Sequence, residues 1–218
     1  MLQFAAQRYN MVEAQVRIND VTDPRIHAAM GEIPRERFVP AAKRALAYAD
    51  VPVEVAPGRF LLDPRSFAKL ISMADISETD TVLDVGAATG YSSAVLARLA
   101  KTVIALEQDA ELVRAAYELL PQVGAANAIV TQGALATGLK AKAPFDLIVV
   151  GGAIPQAPDA LLAQLAEGGR LVAVIGDGGA RGRAELFVRD RGGIGQRSGF
   201  DAVVPPLVGF SKTVGFVF

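Results

Sequence analysis

The segment Thr81–Arg98, TVLDVGAATGYSSAVLAR, narrows most what this chain can become. An apolar run, Val82 to Val85, ends in the turn Gly86-Ala87-Ala88-Thr89-Gly90, and helix-compatible sequence follows at once. A second apolar run, Val103 to Leu106, ends in an acid, Glu107. Strand, glycine turn, helix, strand, acid is the order from which an open α/β sheet builds a nucleotide-type pocket at the carboxyl ends of its strands. Small turn residues let the backbone approach a ligand. Glu107 lies 21 residues after Gly86, close to the roughly 20-residue interval at which such an acid reaches ribose hydroxyls.

The choice of nucleotide follows from what the turn lacks. A dinucleotide fingerprint, G-x-G-x-x-G, started at Gly86 needs glycine at Ala88 and Tyr91 and finds it at neither. The phosphate-cradling G-x-x-x-x-G-K-[ST] pattern is also absent here. Asp84, two residues before the first glycine, would face a cationic or amine-bearing group rather than a pyrophosphate. S-adenosylmethionine has a sulfonium, an amino-acid end and no phosphates, and it is the favoured ligand. A nicotinamide dinucleotide and a turn with no ligand are the open alternatives.

Composition bounds the chemistry. The chain has 218 residues, 51% of them hydrophobic, which suits one domain with a large core and an appended subdomain. The 22 basic and 23 acidic residues leave a net charge of −1, so no general electrostatic case arises for nucleic acid or an anionic membrane. There are no cysteines, which excludes disulfides, thiolate metal sites and cysteine nucleophiles. The single histidine, His27, argues against a histidine metal cluster or a catalytic triad and reads as an ordinary helix residue. The first residues, MLQFAAQRYN, show no apolar leader, and no apolar run approaches the roughly 20 residues of a membrane span, so a cytoplasmic protein is expected.

Residues 1–20 predict a helix with Phe4, Met11, Val12 and Val16 on one face. Asp23-Pro24 predicts the start of a second helix through Met30. Ile33-Pro34 breaks it, and Ala41–Tyr48 is again helix-compatible. Residues 50–64, with Pro52, Pro57, Gly58 and Pro64, predict a loop with short extended pieces, and Arg65–Met73 a helix. From residue 80 strands are expected at Thr81–Val85, Val103–Glu107, Ala128–Thr131, Phe145–Val150 and Arg170–Ile175. Helices are expected between them at Ser92–Leu99, Ala110–Leu120 and Pro158–Ala166. That alternation predicts a mostly parallel sheet covered on both faces. Strand signals at Ala184–Arg189 and Lys212–Phe218, separated by a glycine-rich gap, predict an antiparallel addition. The arginines of 176–199 read as solvated turns rather than an RNA contact, because stacking aromatics are missing around them. The boundary of the two parts is set at 1–75 and 76–218.

The glycine turn with Tyr91, then Glu107, Pro144-Phe145-Asp146 and Leu165-Ala-Glu-Gly-Gly-Arg-Leu171, resembles the protein-L-isoaspartate O-methyltransferase family. So do the upstream Asp23-Pro-Arg-Ile and Ile33-Pro-Arg-Glu-Arg-Phe-Val39, the latter a segment that general methyltransferases lack. The similarity covers roughly residues 10–210, with the motifs in the family's order. It implies a Rossmann-like, S-adenosylmethionine-dependent methyltransferase sheet, mostly parallel with its last strand antiparallel, and an N-terminal helical subdomain that helps cover the ligand. It implies methyl transfer from S-adenosylmethionine, with S-adenosylhomocysteine as product, to the free carboxylate of isoaspartyl residues in damaged proteins. Cofactor contacts are implied at Asp84, Gly86, Ala87, Ala88, Gly90, Tyr91, Glu107, Gln108, Gly133 and Ala134. A carboxylate is already ionised at neutral pH and needs no general base. In-line placement and exclusion of water then supply catalysis, up to roughly 7–11 kcal/mol in favourable cases.

Three departures from the family stand out. Its Thr-Ile-Ser-x-Pro segment, whose hydroxyls lie at the substrate carboxylate, reads Phe60-Leu61-Leu62-Asp63-Pro64 here. Phe60 replaces the threonine and Leu62 the serine, and Asp63 adds a negative charge that would oppose an anionic substrate if it pointed inward. Arg59 and Arg65 are the candidates to compensate, with Ser66 a weaker one. The middle glycine of the turn is Ala88, costly by roughly 1–2 kcal/mol if φ there is positive. The family's Gly-Asp-Gly reads Gly133-Ala134-Leu135, which removes an acceptor for the adenine amine, with Gln132 as the nearest substitute. Two alternatives therefore accompany the isoaspartyl reading. One is a methyltransferase for a less charged acceptor, with Phe60 and Leu62 lining an apolar pocket. The other is a non-catalytic relative that uses Phe60-Leu61-Leu62 as a contact surface.

Overall fold

The structure is a computed structural model that describes residues 2–178 and 181–210. Helix α1 (Leu2–Met11) continues through a π turn and a 3-10 turn to Asn19, and it buries Met11, Val12 and Val16 as their spacing predicts. Helix α2 (Pro24–Glu32) starts at Asp23, whose carboxylate accepts from the Arg25 amide at 2.8 Å. The His27 ring is buried against the Val21 carbonyl, 2.6 Å away, and stays a structural helix residue. Ala41–Leu46 is a 3-10 helix. The proline-rich stretch forms a small antiparallel hairpin, β1 (Val53–Ala56) and β2 (Arg59–Leu61), followed by helix α3 (Pro64–Met73).

Among the described residues seven strands then form one sheet in the order β5-β4-β3-β6-β7-β8-β9. They are β3 (Thr81–Val85), β4 (Thr102–Glu107), β5 (Ala128–Gln132), β6 (Phe145–Ile154), β7 (Leu165–Ile175), β8 (Gly182–Asp190) and β9 (Gly193–Ala202). The first five pair in parallel, and β8 and β9 close the sheet as an antiparallel hairpin. The crossovers are α4 (Tyr91–Leu96), α5 (Ala110–Gln122) and the short α6 (Asp159–Leu162). The glycine-rich gap is a strand, β9, rather than a turn, because its alternating pairing with β8 needs no apolar face at an exposed edge. Arg183 of β8 pairs with Asp201 of that edge strand at 2.9 Å. The strand signal at 212–218 falls outside the described residues.

Alternation along the strands splits the core into two clusters. Val82, Val103, Leu147, Val149 and Val172 share one cluster with the N-terminal helices and α3–α5. Leu83, Val85, Ile104, Leu106, Ile148 and Val150 face the other side. The two-residue period puts Asp84 with Val82, and Glu107 with Val103, so both acids lie on the face that the N-terminal segment covers.

Candidate active site

The site is built where β3, β4 and β6 end. Gly86 and Ala87 both donate their amides to the Leu106 carbonyl, at 2.9 and 3.1 Å, which fixes the turn to the end of β4. Gly86 takes φ +84°. A Cβ on Gly151 of β6 would stand 3.0 Å from the Gly86 carbonyl, so two backbones meet there with room for nothing larger. Gly90 has φ +95°, and a Cβ on it would meet Ala116 and Leu120 at 3.3 Å, so it lets α5 press on the back of the turn. Ala88 has φ +50°. The strained conformation anticipated for that position is therefore present, and alanine occupies it.

Asp84 is fully buried, and its Oδ2 accepts from the Ser92 and Ser93 hydroxyls, each at 2.6 Å. Its Oδ1 is buried with no partner among the described residues. Burial pushes the carboxyl up to about 6, with the two serine hydroxyls pulling the other way. Glu107 is equally buried and fully engaged. Its Oε1 accepts from the amides of Gln108 (2.8 Å) and Asp109 (3.1 Å), and its Oε2 from the amide of Ala88 (2.8 Å) and the Arg59 guanidinium. Gln108 itself is half-buried beside Gly209. Gly133 donates to the Glu107 carbonyl at 3.0 Å, and Ala134 next to it is exposed at the rim, with Gln132 bonded to the Gln108 carbonyl.

A small, partly open cavity lies between Asp84, Gly86, Tyr91, Phe60, Leu62, Phe67 and Val149. Its free space is about 20 Å³, enough for about one water. Leu61 and Leu62 are buried and Phe60 is half-buried against the same cavity, so the two leucines are not offered as a contact surface for another protein. Asp63 does not bring an opposing charge to the substrate: it caps α3, accepting from the Ser66 amide at 2.7 Å. Arg65 is exposed and paired with Asp50 at 3.6 Å, away from the cavity. Of the candidate compensating residues, Arg59 alone reaches the turn.

Three groups of residues were not legible as site residues. Arg35, within the I-P-R-E-R-F-V segment, is fully buried and donates to the carbonyls of Ala47 (2.7 Å) and Leu62 (2.6 Å) while its guanidinium covers the Tyr91 ring. Phe38 packs edge-on to Tyr91, and its carbonyl accepts from Thr89 at 2.6 Å. The segment thus ties the hairpin to the glycine turn. Ser92 and Ser93 hold Asp84. The strap 203–207 joins the end of β6 through Ala153 N–H to Pro205 O and Leu207 N–H to Ala153 O, both 2.8 Å, and lays Leu207 over Gly86. Only Arg35 carried a signal in sequence, its place in the Ile33-Pro-Arg-Glu-Arg-Phe-Val39 segment.

The fit to S-adenosylmethionine is testable on these atoms. A buried carboxylate with one free oxygen suits the ammonium of an amino-acid end, and the glycine turn beside it gives close backbone approach. No group of three or more His, Cys, Asp or Glu residues that could hold a metal occurs among the described residues. No helix there is long and apolar enough to cross a membrane.

The model of the family described as protein-L-isoaspartate(D-aspartate) O-methyltransferase matches residues 6–209. A protein-L-isoaspartate O-methyltransferase of Koribacter versatilis is 40% identical over 207 residues, 94% of this chain and 92% of that one. One of Synechococcus is 37% identical, over 94% of this chain and 86% of that one. In fold, a solved protein-L-isoaspartate O-methyltransferase superposes with a TM-score of 0.80 at 23% identity, over 93% of this chain and 66% of its own longer chain. A Plasmodium falciparum structure described as a beta-aspartate methyltransferase in complex with S-adenosyl-L-homocysteine gives 0.78 at 20% identity, over 93% of this chain and 98% of that chain. The chain belongs to the protein-L-isoaspartate O-methyltransferase family.

Proposed function

We propose that this chain is an S-adenosylmethionine-dependent carboxyl O-methyltransferase acting on isoaspartyl residues of damaged proteins. The observation that carries the reading is Asp84, a buried carboxylate with one unpartnered oxygen that lines the cavity together with Gly86. A free buried acceptor of this kind is costly unless a ligand donor meets it. Asp84 Oδ1 receives the cofactor's ammonium, and Glu107 receives the ribose hydroxyls. The turn residues Gly86, Ala87 and Ala88 lie along the cofactor, with Gln108, Gly133 and Ala134 toward the base. Bound there, S-adenosylmethionine supplies a methyl on a sulfonium. The acceptor carboxylate is ionised at neutral pH, so no side chain has to remove a proton. Phe60, Leu62, Phe67 and Tyr91 keep water from the reacting groups, which strengthens every charge interaction inside. Residues 1–75 serve as the cover that holds this apolar wall. S-adenosylmethionine is supplied in the cytoplasm, so the reading puts the enzyme there.

The test is calorimetric titration with S-adenosylmethionine and S-adenosylhomocysteine, followed by methyl transfer to an isoaspartyl peptide. Micromolar binding and transfer to the isoaspartyl form but not its aspartyl counterpart are expected. Binding without transfer would point to the less charged acceptor, and no binding at millimolar ligand would remove the methyltransferase reading.

A further inference from the structure

Arg59 is 4% exposed and Glu107 0%, and the two form an ion pair across the turn. The pair is lopsided. Glu107 uses all of its roughly four acceptor positions, three of them on backbone amides. Arg59 has five N–H donors and spends them through Nη2 alone, while Nε and Nη1 are buried with no partner among the described residues. Arg59 also lies over the turn itself, its Nη2 3.4 Å from where a Cβ on Gly86 would stand. A guanidinium so placed is incompletely satisfied where it is, and it stands where a ligand of Glu107 must come.

For Glu107 to take a ribose hydroxyl it must release a partner. The three amides are fixed in the chain, and Arg59 is a side chain on a hairpin. Once released, a buried guanidinium needs an anion with two oxygens, and a carboxylate matches its fork. Phe60 and Leu62, which line the cavity close to it in sequence, offer no hydrogen bond through their side chains.

We propose that Arg59 is the carboxylate-binding residue of this site: Glu107 holds it in reserve, and ribose at Glu107 frees it. The proposal rests on the methyltransferase reading above. The carboxylate comes from one of two sources, the amino-acid end of the cofactor or the isoaspartyl acceptor. In either case nucleoside binding and carboxylate binding are coupled through one side chain.

The experiment is calorimetry on wild type, Arg59→Gln and Arg59→Lys with three probes. These are 5′-methylthioadenosine, which has the ribose but no carboxylate, S-adenosylhomocysteine, and an isoaspartyl peptide added to protein saturated with S-adenosylhomocysteine. In Arg59→Gln, 5′-methylthioadenosine should bind as tightly as in wild type or more so, because Glu107 no longer sheds an ion partner. One carboxylate ligand should weaken by about 10-fold or more. Loss confined to the peptide assigns the acceptor, and loss of S-adenosylhomocysteine assigns the cofactor's own carboxylate. Arg59→Lys, which keeps the charge without the fork, should fall between. If Arg59→Gln does not fold, the lysine variant carries the same comparison. Carboxylate ligands bound within about twofold of wild type, or all three probes weakened together, would overturn the proposal and make Arg59 a structural counter-ion. Wild-type protein that binds neither nucleoside would instead remove the methyltransferase reading beneath it.

Discussion

Ala88 donates its amide to Glu107 Oε2 at 2.8 Å from a backbone held at φ +50°. The acid at the end of β4 thus relies on a left-handed alanine. That conformation costs alanine roughly 1–2 kcal/mol. Glycine removes the strain but loses more entropy on folding, about 0.5–1 kcal/mol. Ala88→Gly should therefore stabilise the protein by about 0.5–1 kcal/mol in urea unfolding, with an unchanged m-value. A loss of stability would mean that the buried Ala88 methyl contributes more through packing than its backbone costs.

Much of this site was legible because it depends on local pattern. The strand-turn-helix at 81–98 and the acid at 107 follow from short-range periodicity, and the parity of the strands places Asp84 and Glu107 on one face. What could not be read depends on contacts between distant segments. The ion pair of Arg59 with Glu107 spans 48 positions, and Arg35 reaches Leu62 over 27. Asp63, a charge that would oppose the substrate only if it pointed inward, is a helix cap, as the following Pro64 at the first helical position could have suggested. Strand β9 was hidden by its glycines and polar residues, which an edge strand tolerates. The strap that carries Leu207 has no regular period at all.

Asp84 should make cofactor binding pH-dependent. Burial raises its carboxyl to about 6 from 3.8. The folded protein then holds a proton on Asp84 between those values that the unfolded chain has released, so this group lowers stability as pH rises through the window. In the function proposed above, the ammonium of S-adenosylhomocysteine meets Asp84 and needs its ionised form. Its affinity should be level above about pH 7 and fall about tenfold per unit below pH 6. Asp84→Asn should flatten that profile, bind more weakly at pH 7.5, and raise the stability of the ligand-free protein by about 1–3 kcal/mol there. An unchanged profile in the variant would assign the dependence to another group.

Arg35 should matter for the wall of the site rather than for charge. It is buried under the N-terminal segment, and burial pulls its guanidinium below the usual arginine range. Arg35→Met keeps the bulk over Tyr91 but leaves the carbonyls of Ala47 and Leu62 without donors. Each lost partner costs about 1–3 kcal/mol. Thermal unfolding should reveal a loss of about 2–5 kcal/mol, and amide exchange should quicken in β2 before β3. Equal protection in both strands would show that the hairpin does not depend on this residue.

Leu207 and Gly86 offer a direct test of how the strap shapes the turn. A Cβ on Gly86 would stand 2.8 and 3.0 Å from the two Leu207 methyls. Gly86→Ala therefore meets two separate obstacles, the overlap with Leu207 and the strain of alanine at φ +84°. The first belongs to a movable side chain and the second to the backbone. The single variant should lose about 2–4 kcal/mol, the sum of overpacking and left-handed strain. Leu207→Ala alone should lose about 2–3 kcal/mol by opening space in the core. The double variant should be less destabilised than the sum of the two by about 1–2 kcal/mol, because the overlap is gone while the strain remains. Strict additivity in urea unfolding would mean that the strap already moves aside from Gly86 in solution, and that Leu207 does not set the width of the turn.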